Sequence, residues 1–179
     1  RNPGQQWVTK FDGRGFVSQP KNGDWQWGLE LKRYGFPGAT RAVSGTPAVK
    51  AAGQRLTYDW DTVVQEGWVN DARGLEHGFI VRKRPAAARD AAGLLQFELA
   101  VRGSLTAQIA ADGLGVQFRD AAGNTVINYS ELRVWDADGK VLRSHFEPLD
   151  PRNPSLVTLS VNECGARYPL TIDPIGMAK

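Results

Sequence analysis

Cysteine is almost missing from this chain: among 179 residues it occurs once, at Cys164. A single thiol excludes an internal disulfide and any metal site built from cysteine pairs, and it leaves the redox compartment open. Histidine is nearly as scarce, present only as His77 and His145. Nucleophilic catalysis needs a base beside a Ser or Cys and a third group to orient it. Neither histidine lies in a nucleophile-elbow motif, so no catalytic residues are assigned and no enzymatic activity is expected. No apolar run approaches the roughly 18 residues of a membrane-crossing helix, so no transmembrane segment is expected. Charge of one sign is not in excess either, with 22 Lys and Arg against 19 Asp and Glu. The densest basic cluster, Arg82-Lys83-Arg84, reads as a solvated strand end. A phosphate-tracking surface would need a longer stripe, so nucleic acid is not an expected partner.

What remains is an ordinary globular composition, 41% hydrophobic and 23% charged. Twenty glycines and 10 prolines are spread along the chain, as many tight turns between short elements require. Helical periodicity is nearly absent. Trp25, Trp27, Leu29 and Leu31 alternate at period two, as do Leu95, Phe97, Leu99 and Val101, the pattern of half-buried strands. Leu156–Val161 and Tyr168–Ile172 add two more strand-like runs. Asp12-Gly13, Asn22-Gly23, Asp112-Gly113 and Asp138-Gly139 accept positive φ and are expected to close two-residue hairpins. From Leu114 to Glu147, strand-like segments and turns alternate as in a meander. The predicted fold is all-β, an antiparallel β-sandwich or stacked sheets built from hairpins and a meander. One domain over 1–179 is expected, with an exposed connection and candidate internal boundary at Pro85–Gly93.

The segment Trp68-Val69-Asn70-Asp71-Ala72-Arg73-Gly74-Leu75-Glu76-His77-Gly78-Phe79 resembles part of the N-terminal all-β region of large secreted bacterial proteins that carry FG-GAP repeats, the repeats of integrin-α-like β-propellers. Asn2-Pro3, Trp25-Gln26-Trp27-Gly28 and Tyr34-Gly35-Phe36 are similar to the opening of that region. Val134–Gly139 and Ala166–Pro174 are similar to its closing hairpin and exit, so the resemblance spans roughly residues 2 to 175. It implies a secreted or cell-surface location. It further implies a non-catalytic structural or adhesive module ahead of a repeat array. The expected partners are neighbouring domains of the same chain, a surface protein or a polysaccharide.

Four constellations could carry chemistry. Trp60, in Tyr58-Asp59-Trp60-Asp61, is flanked by carboxylates, the combination that stacks on a sugar ring and bonds its hydroxyls. With Trp68 it defines an alternative function, a carbohydrate-binding module using Trp60, Asp59, Asp61 and Trp68. Core packing is the competing reading for Trp25, Trp27 and Trp68, given the area each buries. Asp136-Ala137-Asp138-Gly139 has the alternate carboxylates and glycine that begin a calcium loop. Calcium at Asp136 and Asp138, completed by Asp120 or Asp150, is the one cofactor considered; a plain Asp-Gly turn is the other reading. Glycoside hydrolysis would need a carboxylate pair across a cleft, drawn from Glu66, Glu76, Asp59 and Asp61. Cys164 sits at a turn between the last two strand-like runs and is expected to be half-buried and inert. Lys32-Arg33, Arg82–Pro85 and Pro169 are expected to blunt sheet edges.

Overall fold

A computed structural model of the chain describes residues 4–87 and 93–178. Every regular element among them is a strand. Before the Pro85–Gly93 segment come β1 (Trp7–Phe11), β2 (Phe16–Pro20), β3 (Trp27–Gly35), β4 (Arg41–Ala42), β5 (Ala48–Ala52), β6 (Arg55–Asp59), β7 (Val64–Asp71) and β8 (Gly74–Val81). After it come β9 (Leu95–Gly103), β10 (Thr106–Ile109), β11 (Val116–Arg119), β12 (Thr125–Trp135), β13 (Val141–Leu142), β14 (Ser144–Phe146), β15 (Leu156–Val161) and β16 (Leu170–Ala178). The central residues of the expected connection, 88–92, lie outside the described residues.

The strands form two antiparallel sheets packed as a sandwich. The first has the order β1-β2-β3-β9-β15-β14, with β4 against β3. The second has the order β10-β11-β12-β16-β8-β7-β6-β5, with β13 against β12. Of the meander expected from Leu114 to Glu147, β11, β12 and β13 pair in succession, while β14 crosses to the first sheet. Strands from either side of Pro85–Gly93 pair in both sheets, β3 with β9 and β8 with β16.

Period-two alternation does the sorting. Trp27, Leu29 and Leu31 of β3 and Leu95, Phe97 and Leu99 of β9 are buried, and of the residues alternating with them only Gly28 is, against the Phe16 backbone. The second sheet answers with Trp68, Phe79, Phe118, Tyr129, Val134 and Ile172. The core between the sheets is unusually aromatic: Trp27 lies 5.3 Å from Phe118, and Phe97 stacks on Phe79 at 5.1 Å and on Tyr34 at 6.2 Å. Trp25 is half-buried against Trp7.

Two local expectations are revised. The four Asp-Gly and Asn-Gly pairs do place their glycines at positive φ, but in loops of four to six residues, such as Asp12–Gly15 and Ala110–Gly115. There the Asp side chain accepts amide hydrogens from residues that follow it: Asp12 takes those of Arg14 and Gly15, and Asp136 those of Asp138 and Lys140. That bonding stabilises a wider loop than a two-residue turn. The two-residue turns are Gly53-Gln54 and Ala72-Arg73. Gly53 at φ 59° in the first position fits a type II′ turn.

The closing strand also runs past Pro174, where the residue pattern suggested an exit. Proline cannot donate to a ladder, and central strands normally exclude it. Here β12 carries a register shift between Ser130 and Arg133, opposite Pro174, with Glu131 at φ 59°. The bulge falls where the missing donor would otherwise leave the ladder short.

Phe97 packs against rings from both sheets, so Phe97→Ala is expected to cost about 3–5 kcal/mol in urea unfolding. A loss under about 1 kcal/mol would show that this ring does not join the sheets.

Candidate functional site

Val64, Glu66 and Trp68 of β7 share the inner face, as do Leu75, His77 and Phe79 of β8. The second sheet therefore presents a carboxylate and an imidazole to the core. Glu66 is 0% exposed and His77 1%. They are not left unsatisfied. The Trp60 indole N–H donates to Glu66 Oε1 at 3.0 Å, Glu66 Oε2 lies 2.7 Å from His77 Nε2, and His77 Nδ1 lies 2.7 Å from the Tyr129 hydroxyl. Trp68 stacks on the imidazole at 5.2 Å, with Phe16 and Phe79 edge-on to it. Burial pushes the Tyr129 hydroxyl well above its ordinary range, the Glu66 charge adding to the effect. These groups hold four segments of the chain together, and Glu66, His77 and Tyr129 are closed to any ligand. Their signal was present in the sequence: Glu66 and His77 fall in phase with the buried positions of their strands.

The candidate saccharide platform around Trp60 is largely committed to the fold. Besides donating to Glu66, Trp60 packs edge-on against Tyr58 at 5.7 Å. Asp59 pairs with Arg82. Asp61 accepts the Tyr34 hydroxyl at 2.5 Å and the amides of Val63 and Val64 at 2.7 and 2.8 Å. Burial raises its carboxyl, but those three bonds outweigh burial and hold it below the ordinary range. Trp68 is 1% exposed and lies in the core.

Asp136 is buried, and its two oxygens accept the amides of Asp138, Lys140 and Arg167 at 2.9, 2.9 and 3.0 Å. The Arg167 amide, followed by the other two, holds its carboxyl low. Asp138 is exposed and pairs with Arg167. Asp120 and Asp150 cap their own turns. Among the described residues no group of three or more metal-ligating side chains comes together. The arrangement reads as a staple between the β12–β13 loop and the segment before β16.

His145 and the buried Ser160 both bond Glu147 Oε1, at 2.8 and 2.7 Å, so the imidazole reaches the hydroxyl only through a carboxylate. Cys164 is exposed, not half-buried, because its turn projects from the sandwich. The expected guards do not stand on sheet edges: Lys32 and Arg33 lie in β3 between β4 and β9, Arg82–Pro85 follows β8, which lies between β16 and β7, and Pro169 precedes the central β16.

Glu66 and Glu76 face opposite sides of the sheet and do not meet. Glu76 meets Asp173, a partner the residue pattern did not suggest. Burial first, then the Glu76 charge and a hydrogen bond that protonated Asp173 donates to Glu76, push Asp173 up to about 7 from 3.8. Glu76 and Asp173 lie in a small outer-face groove of about 170 Å³, floored by Gly67 and Gly78 and walled by Trp135.

A second feature is the edge at β5. All five residues of β5 are exposed, and Val49 is 53% exposed. Among the described residues β5 pairs only with β6. The two-residue β4 is also exposed, but the longer edge strands elsewhere each bury at least one side chain: Trp7 in β1, Ala107 in β10 and Phe146 in β14. Beside β5, on the inner side of the sheet, a cleft of about 480 Å³ is lined by Phe11, Ala51, Leu56 and Trp68. The Trp68 indole N–H is buried without an acceptor.

No family model, curated protein or solved structure matches the chain. Function must therefore be argued from the edge, the cleft and the groove.

Two outcomes follow. Tyr129→Phe strands His77 Nδ1 in the core and is expected to cost about 1–3 kcal/mol, measured by denaturant titration. Asp173 holds its proton more tightly folded than unfolded, so its contribution to stability is greatest at low pH and declines as pH rises from 3.8 to about 7. Asp173→Asn should flatten the fall of the melting temperature across that window. An unchanged slope would show that the pair does not share a proton.

Proposed function

We propose that this domain is a non-catalytic interaction module that captures an extended segment of a partner as an added strand on β5. The observation that carries this reading is the full exposure of an edge strand guarded by one charge, Lys50. Proteins normally blunt such an edge with charges, prolines, bulges or a covering loop. Ala52 and Arg55 close the two-residue turn, so Ala52, Lys50 and Ala48 exchange bonds with β6. The N–H and C=O groups of Val49 and Ala51 then point away from the sheet. In strand addition, main-chain bonds supply affinity and pockets for alternate side chains supply specificity. The cleft lined by Phe11, Leu56 and Trp68 lies where an inward side chain of an added strand would enter.

The resemblance to the head region of FG-GAP-repeat proteins supports an extracellular setting, with the captured strand belonging to a neighbouring domain or a surface protein. Catalysis draws no support from the described groups, whose histidines and in-core carboxylate are bonded within the fold.

The test is selection of linear peptides from a random displayed library against the purified domain, followed by hydrogen exchange of the complex. Selected peptides are expected to protect the amides of Val49 and Ala51. Ala51→Pro removes an outward amide and no bond of the β5–β6 hairpin, so it should abolish binding while leaving the melting temperature within a few degrees of wild type. Peptides that protect other strands, or that bind Ala51→Pro equally well, would overturn the reading.

A further inference from the structure

The groove on the outer face of the second sheet is a separate matter from the β5 edge. Its floor lies where two glycines pair across strands, Gly67 of β7 with Gly78 of β8. Thr57 of β6 stands beside Gly67, and Asp173 of β16 beside Gly78. Glycine in a strand interior forfeits packing and conformational stability, so it calls for a reason: a bulge, a close backbone or a ligand. At Gly78 the reason is internal, because a Cβ there would come within 2.4 Å of the Ile172 carbonyl oxygen. Gly67 has no such reason. A Cβ at that position would meet only the Thr57 methyl at 3.6 Å and the Leu56 carbonyl at 3.7 Å, ordinary van der Waals contacts. Its backbone is not in the left-handed region either. The fold would accept a side chain at 67, and the bare floor keeps the groove open.

What surrounds the floor narrows the occupant. Along one wall, Gln65 of β7 and Thr171 of β16 lead to Trp135 of β12, which is half-buried with the Arg133 guanidinium 6.0 Å from its ring centre. Along the other wall stand Arg55 and Glu76, with Asp173 between the walls. Hydrogen-bond donors and acceptors thus alternate within reach of an aromatic side chain. Formal charges balance around the groove: Arg55 in its lining, with Arg73 and Arg133 beside it, stands against Glu76, Asp173 and Asp71, and Arg73 pairs with both Asp71 and Glu76. A cationic or anionic ligand would find little net field, whereas a neutral polyhydroxyl ligand would find amide, carboxyl and guanidinium partners beside an aromatic surface, the few placed polar groups of a small-ligand site. The trough crosses β6, β7, β8 and β16, so it is open to a chain longer than one ring.

We infer that this groove is a binding site for a neutral oligosaccharide, with Trp135 as its aromatic platform, Gln65, Glu76, Asp173 and Arg55 as its hydroxyl partners, and Gly67 as the clearance that admits the sugar. The carbohydrate reading first attached to Trp60 thereby moves to the opposite face of the same sheet.

Isothermal titration of the domain with neutral hexasaccharides of glucose, xylose, mannose and N-acetylglucosamine supplies the test. At least one is expected to bind saturably. Trp135→Ala and Gly67→Val should each weaken that binding at least tenfold, and Trp60→Ala should leave it unchanged. Gly67→Val should also melt at or above the wild-type temperature, because valine suits an open strand position. Ala51→Pro should bind sugar normally, so failure of the strand-capture reading would be seen separately. The inference is overturned if no neutral hexasaccharide binds, if binding survives Gly67→Val, or if Gly67→Val melts well below wild type, which would return Gly67 to the fold. Binding only of charged saccharides or of peptides in this groove would overturn it equally.

Discussion

Every strand inside a sandwich sheet must have its backbone groups paired on both sides, and in the second sheet one strand meets that demand for two blocks at once. β16 fills the gap between β8, which ends the β5–β8 run, and β12, which ends the β10–β12 meander. Without it both blocks would present unpaired N–H and C=O groups along the middle of the sheet, where burial makes them costly. The sequence around β16 is bent to this purpose. Gly78 leaves room for the Ile172 carbonyl, Gly176 leaves room for the Trp27 ring, which a Cβ there would approach to 2.9 Å, and the bulge in β12 accommodates Pro174. The pairing is long-range, so most of the chain must be ordered before the ladder closes, a topology that favours slow folding.

The polar chain from Trp60 through Glu66 and His77 to Tyr129 depends on that closure. His77 and Tyr129 sit on strands flanking β16 and meet across it only when both ladders are formed. A buried carboxylate facing a buried imidazole is costly unless every lone pair and proton is matched. The described bonds give a partner to each Glu66 oxygen and each His77 nitrogen. A register slip of one residue would send both groups to the outer face and bring Gly67 and Gly78 inward. The network therefore penalises misregistered pairings that an all-apolar core would tolerate, and this selectivity is a reason for polar groups to occupy so central a place.

Much of the architecture was legible in the residues. Alternation exposed β3, β9 and β15, and punctuation by glycine revealed the meander. What could not be read was who pairs with whom. Periodicity assigns a face to each residue but not a neighbour, so Asp173 and Glu76, 97 positions apart, gave no sign of meeting. Trp60 looked exposed because its sequence neighbours are acidic, yet Asp59 and Asp61 turn to Arg82 and Tyr34. The unguarded edge was hidden for the same reason. Ala48–Ala52 has neither the alternation nor the aromatic content of a packed strand, and among the described residues nothing covers either of its faces.

Between Leu142 and Ser144 the chain changes sheets. Arg143 alone separates β13, paired to β12 in the second sheet, from β14, paired to β15 in the first. A link one residue long cannot stretch. The two layers can neither slide past one another nor part along this flank without unzipping one of the two short ladders. Close-packed interiors pass strain on rather than absorb it, so a load applied to one layer reaches the other at once. Along this side the sandwich behaves as a single stiff plate, suited to carrying tension between whatever holds its two faces.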